Sequence, residues 1–281
     1  MGMDPMVEQP VDTENISLSS RRSAVATVGM GDVWHWLGLG WRDMRAAGWV
    51  SIGYGLIFVA GGFAICGGLI LSGMPYLIVP MTEGFMLIGP LAALGFYDMS
   101  RRLERGGTPT LWGALTAWRD NSFQLLTAGL VMMLYLMAWS RMAVIVYVVS
   151  FPYESFSLGE FVAHLASLDG IVFLLTGTVI GGAFAVLAFV SNITTLPMML
   201  DRRADFFAAA ALSIQAVLRN PRTMLGWAAV ILLFTGAGLA SAFLGLAVTL
   251  PLIGHASWHA YRALIPPPEG EPDASSRPSS S

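Results

Sequence analysis

From Gly48 to Thr82 the chain carries no charged side chain. That stretch is long enough for a bilayer crossing, which needs about 20 apolar residues as a helix. Lipid offers no partner to backbone N–H and C=O groups, so a single apolar segment can cross only as a helix. The whole chain conforms: of 281 residues 55% are hydrophobic and 12% charged, with mean hydropathy +0.65. A soluble domain carries about twice that charge.

Further apolar regions follow. Val50 to Ser72 is the first expected span, closed by the turn Ser72-Gly73-Met74-Pro75, and Tyr76 to Tyr97 is the second, interrupted only by Glu83. Phe123 to Phe151 is the third and contains Arg141; Gly170 to Leu200 is the fourth. Met224 to Leu264 holds no Asp, Glu or Lys, and its one arginine, Arg262, stands at its very end. As one helix it would run about 60 Å, twice the hydrocarbon core, so it is expected to divide near Gly236 to Gly245. The count is then six.

Charge placement fits that count. All fifteen basic residues are arginines. Arg21, Arg22, Arg42 and Arg45 precede the first span; Arg101, Arg102, Arg105 and Arg119 lie between the second and third. Arg202, Arg203, Arg219 and Arg222 lie between the fourth and fifth, and Arg262 and Arg277 at or after the end of the sixth. All of these fall on one side, while the opposite loop from Pro152 to Asp169 has no arginine. The positive-inside rule makes the arginine side cytoplasmic, with both termini inside, and the expected location is an inner (cell) membrane. Most tryptophans, among them Trp36, Trp41 and Trp118, stand beside the same span ends, at expected headgroup depth.

The borders also echo one another. Trp41-Arg42-Asp43, Trp118-Arg119-Asp120 and Leu218-Arg219-Asn220 each precede a pair of spans, and Asp98 to Arg102, Asp201 to Arg203 and His259 to Arg262 each end a pair. Apolar residues at helical spacing, such as Val33, Trp36, Leu37, Gly40, Trp41 and Met44, precede the first. The expected fold is an all-α membrane protein of six transmembrane helices in three hairpins, each preceded by an amphipathic interfacial helix. Those helices are expected near residues 33–45, 110–121 and 205–219, within a domain of residues 32–265. The polar segments 1–31 and 266–281 are expected to be disordered cytoplasmic tails. Trp36, Trp41, Arg42, Trp118, Arg119 and Arg219 are the expected interfacial anchors.

Met86-Leu87-Ile88-Gly89-Pro90, running on to Gly95-Phe96-Tyr97-Asp98, resembles a bacterial family of predicted integral membrane proteins, the domain of unknown function 2189. Arg42-Asp43 and Leu196-Pro197-Met198-Met199 before Asp201 extend the resemblance to roughly Val33 to Ile265. It implies a multi-pass membrane protein and brings no catalytic residues. Some relatives are labelled as cytochrome c oxidase subunits. A heme–copper subunit needs about six ligands on its helices, and only His255 and His259 of the four histidines can lie within a span.

Those two histidines are four residues apart on one helix face, the spacing of a metal or heme pair, although no carboxylate or thiol accompanies them in the sequence. Glu83 and Arg141 are the ionisable residues inside spans, where burial of charge is costly and pairing is the rule. Counted at 1.5 Å per residue, both lie roughly 10–14 Å below the outer surface, so an intramembrane ion pair is expected. The stripe Ala60, Ala64 and Gly68 and the pair Gly177 and Gly181 would permit close helix approach. No nucleophile, phosphate-loop or zinc-protease motif occurs, and a single Cys66 excludes an internal disulfide. The reading is a non-enzymatic scaffold, assembly or accessory protein for other membrane machinery. It needs no cofactor and no nucleic acid, and its partners are the lipid bilayer and other membrane proteins. The alternatives are a small-solute transporter or channel using Glu83 and Arg141, and an accessory subunit of a respiratory complex.

Overall fold

A computed structural model describes residues 25–151 and 158–267. Within them every regular element is a helix: α1 Met30–Ala47, α2 Trp49–Leu71, α3 Ile78–Ala92, α4 Leu94–Glu104, α5 Leu111–Thr116 and α6 Ser122–Ser150. Then come α7 Leu158–His164, α8 Leu168–Asn192, α9 Thr195–Arg202, α10 Phe206–Arg219, α11 Pro221–Ala240 and α12 Leu246–Leu264. Among the described residues four stretches are long and apolar enough to cross a membrane: Trp49–Leu71, Leu111–Ser150, Leu168–Arg202 and Pro221–Ala240. The expectations for both tails and for the loop after Phe151 fall largely outside the described residues.

Prolines shape the second and fourth expected spans. Pro90 has no N–H for the carbonyl of Met86, and the helix is interrupted one turn later at Ala93, so α3 and α4 are separate pieces. Pro197 likewise leaves the carbonyl of Ile193 without its helical donor, and the chain breaks between α8 and α9 at Ile193–Thr194. Residues 224–264 divide inside the expected interval, at the turn Ser241 to Gly245, where Ala242 and Phe243 adopt positive φ.

Helices stand where the three interfacial segments are expected: α1, α5 with the 3-10 turn Ala117–Asn121, and α10. Val33, Trp36, Leu37, Gly40, Asp43, Met44 and Ala47 form the buried face of α1. The sequence reading assigns residues 25–31 to the tail, but they are bound in. Ala26 N–H donates to the Leu264 carbonyl at 2.8 Å, and Val28 N–H to Asn220 Oδ1 at 2.9 Å.

The centre of the bundle is α12, held between α1, α2, α4 and α11. Small residues let it be approached closely. A Cβ on Gly40 would lie 2.6 Å from the Ala256 nitrogen, and one on Gly254 would lie 2.6 Å from the Phe96 ring. The first expected hairpin is open. Helix α2 packs on α12, whereas α3 packs against α6 and α8 and meets α2 only sparsely. In the other two expected pairs the helices are in contact, α6 with α8 and α11 with α12.

Candidate functional site

Polar side chains gather at the end of the bundle that carries the arginine segments, around the last turns of α4, α9 and α12. These helix ends interlock as a triangle. Arg101 donates from Nη1 to the Leu200 carbonyl at 2.6 Å, and Arg105 to Asp201 Oδ1 at 3.1 Å, joining α4 to α9. Glu104 accepts from Trp258 Nε1 at 2.9 Å and from Arg262 Nε at 3.0 Å, joining α4 to α12. Asp201 accepts from the Tyr261 hydroxyl at 2.9 Å, and Arg202 donates to the Ile265 carbonyl at 2.6 Å, joining α9 to α12. The three span-pair endings that echo one another in sequence are thus in contact.

The dipeptides before each span pair share one arrangement. In each, the arginine is exposed and the next residue turns onto the bundle. Arg42 reaches solvent while Asp43 is buried. Arg119 lies 5.5 Å over the Trp118 ring, while Asp120 pairs with Arg101, which also binds Asp98. Arg219 is exposed, while Asn220 donates to the carbonyls of Ala26 and Ala216. Of the expected anchors, Trp41 and Trp118 are exposed, at 47% and 41%. Trp36 points inward, edge-on to Trp227 at 5.6 Å.

The most enclosed constellation links α1, α2, α4 and α12. Ser51 Oγ is 2.9 Å from His255 Nε2, and Ser100 Oγ is 2.8 Å from His255 Nδ1. Ser100 Oγ donates to Asp43 Oδ2 at 2.9 Å, and His259 Nε2 lies 2.7 Å from the same oxygen. Ser51, Ser100 and His255 are fully buried and Asp43 nearly so. The donor directions follow from counting protons. An ionised carboxylate only accepts, so the single Ser100 proton goes to Asp43. The Ser100 oxygen then accepts from His255 Nδ1–H, and a neutral His255 is left to accept at Nε2 from the Ser51 hydroxyl. No buried side-chain nitrogen or oxygen of the chain Ser51–His255–Ser100–Asp43–His259 is left without a partner, which is what makes such a buried network tolerable. Burial pushes the Asp43 carboxyl up, but the hydrogen bond and charge of His259, with the Ser100 hydrogen bond, outweigh it and hold the group below 3.8.

The structure therefore places a carboxylate beside the two histidines, from 216 residues before His259. Both ring nitrogens of His255 face hydroxyls, and no group of three His, Cys, Asp or Glu among the described residues is arranged to hold a metal ion. Glu83 lies on α3 with its side chain outside the description. Its neighbour Gly84 sits against Leu136 and Trp139 of α6, level with the turn that bears Arg141. Arg141 itself is exposed.

Residues 78–201 match the family of predicted integral membrane proteins DUF2189. No curated protein and no solved structure matches the chain. The DUF2189 match spans α3 through Asp201, so it takes in Glu83, Asp98, Ser100, Arg101, Asp120 and Arg141. Asp43, Ser51, His255 and His259 lie outside it. The triangle of helix ends thus has two of its corners, α4 and α9 as far as Asp201, inside the DUF2189 region, while the enclosed serine–histidine–aspartate chain touches it only through Ser100.

Proposed function

We propose that this protein is a six-span inner-membrane scaffold or accessory protein that seats other membrane proteins against a rigid cytoplasmic plate. The four long apolar stretches supply four spans, α3 with the start of α4 supplies the second, and α12 the sixth. The arginines beside one end of these helices support a cytoplasmic location for that end, with both termini there. Three repeated units, each a border helix and two spans, account for the echoing dipeptides and for the way their endings meet.

One observation carries the scaffold reading. The polar groups at the arginine end are consumed by one another across three helix ends, whereas the spans above them expose apolar faces, among them Leu130, Leu134, Val179, Val186 and Leu232. The small-residue stripe Ala60, Ala64 and Gly68 is also uncovered, and a Cβ on Gly68 would meet nothing within 4 Å. A closed base with uncovered walls suits holding neighbours better than turning over a substrate. The test is purification of the full chain from native membranes in mild detergent. The scaffold reading expects a second membrane protein at a fixed ratio. A solitary monomer or homo-oligomer would overturn it.

A transport reading is favoured by one feature, the break between α8 and α9. There the buried Asn192 Oδ1 and Thr194 Oγ1 have no hydrogen-bond partner, and broken spans bind ions in many transporters. An ion flux in vesicles that Asn192→Leu abolishes, with folding intact, would favour this reading over the scaffold.

A further inference from the structure

Helix α6 bears an outward stripe made of Leu130, Leu134, Met137, Arg141, Ile145 and Val148. Each apolar member is 54–58% exposed, and Arg141 is exposed among them. At 100° per residue these positions fall within roughly 80° of arc, one narrow line along the helix. Arg141 stands about 13 Å from the helix end at Ser150, with apolar residues from Met142 to Val149 beyond it. No described side chain forms an ion pair with it. A guanidinium at that depth is not stable against lipid alone, and its planar fork matches a carboxylate.

We propose that this stripe is the docking face for a transmembrane helix of another membrane protein that carries an aspartate or glutamate at the depth of Arg141. The proposal rests on the scaffold reading and names the partner's chemistry. Two observations decide the occupant. The chain's own α3 packs on the far side of α6, where Gly84 meets Leu136 and Trp139, and those positions lie away from the stripe. A second copy packed stripe to stripe would set Arg141 against Arg141, which is repulsive. A heterologous helix with a carboxylate supplies both the apolar contact and the counter-charge. The face would be read by charge at one point and by apolar packing along its length.

The test uses the full chain in phosphatidylcholine vesicles, labelled on a C-terminal tag, with a fluorescent polyleucine helix as probe. The probe carries either one glutamate about 13 Å from its end or leucine at that place. Energy transfer is expected to show association at least tenfold tighter for the glutamate probe. The preference should vanish in Arg141→Leu and survive in Arg141→Lys and in Glu83→Gln. Arg141→Leu alone should melt near the wild-type temperature, because no described side chain forms an ion pair with the guanidinium. Equal association of both probes would overturn the proposal. So would a large drop in melting temperature in Arg141→Leu together with tighter probe binding in Glu83→Gln, which would put Arg141 on the chain's own Glu83. The scaffold reading fails separately, when no native partner co-purifies although the probe binds.

Discussion

Replacing Asp43 with alanine removes the carboxylate on which the enclosed polar chain converges. Its Oδ2 accepts from Ser100 at 2.9 Å and from His259 at 2.7 Å, and its side chain is 6% exposed. Hydrogen bonds to a charged group contribute about 1.5–3 kcal/mol each. The loss also leaves the buried Ser100 proton with His255 Nδ1 as its acceptor, which requires the imidazole to change tautomer. The His259 side chain is 13% exposed, so water recovers part of its share. The expected cost is about 3–5 kcal/mol, on the order of 10 °C in melting temperature for a chain of this size. The assay is thermal unfolding in detergent followed by tryptophan fluorescence. Asp43→Asn should cost less, because it keeps one acceptor oxygen. The sign with pH follows from the depressed carboxyl. Its stabilisation is full above the unfolded value near 4 and is lost as pH falls through the lower folded value. His259 and His255 are the titratable groups that face it. Wild type should therefore lose stability below about pH 4 more steeply than Asp43→Asn. A shift of less than about 1 kcal/mol in Asp43→Ala would refute the reasoning, since no buried charged network could then depend on this residue.

Gly40→Ala should cost about 3 kcal/mol, because the new methyl meets the Ala256 backbone and α1 must move off α12. Gly38→Ala on the same helix meets nothing within 4 Å and should be neutral or stabilising by about 0.5–1 kcal/mol; paired melting curves compare them. In single-tryptophan variants, lipids brominated near the headgroup should quench Trp41 and Trp118 and leave Trp36 nearly unquenched, as their exposures require. Equal quenching of all three would mean that α1 is not packed as described.

Much of the fold was legible because a bilayer imposes coarse rules. Uncharged length marked the apolar stretches, and the tight turn at Ser241–Gly245 fell where the length of residues 224–264 demanded one. What was not legible was which helix neighbours which. Helices apolar all round carry no face that selects a partner, so the parting of α2 from α3 left no sequence mark. The enclosed site was hidden by distance along the chain: Ser100 lies 57 residues from Asp43 and 155 from His255. One signal did exist. Asp43 sits on the apolar line Val33, Trp36, Leu37, Gly40, Met44, and a carboxylate on a buried face requires a partner. The inward turn of Trp36 was hidden for the converse reason. A tryptophan at a membrane border serves equally as anchor or as core, and only the close approach to Trp227 separates the two.

The proposed six crossings with both termini on the arginine side are tested directly by cysteine labelling in intact cells. With Cys66 replaced by alanine, a single cysteine is placed at Ser157 or at Ser275. An impermeant maleimide should label the cysteine at Ser157 from outside, and the one at Ser275 only after the membrane is opened. Labelling at Ser275 in intact cells would contradict the six-span arrangement.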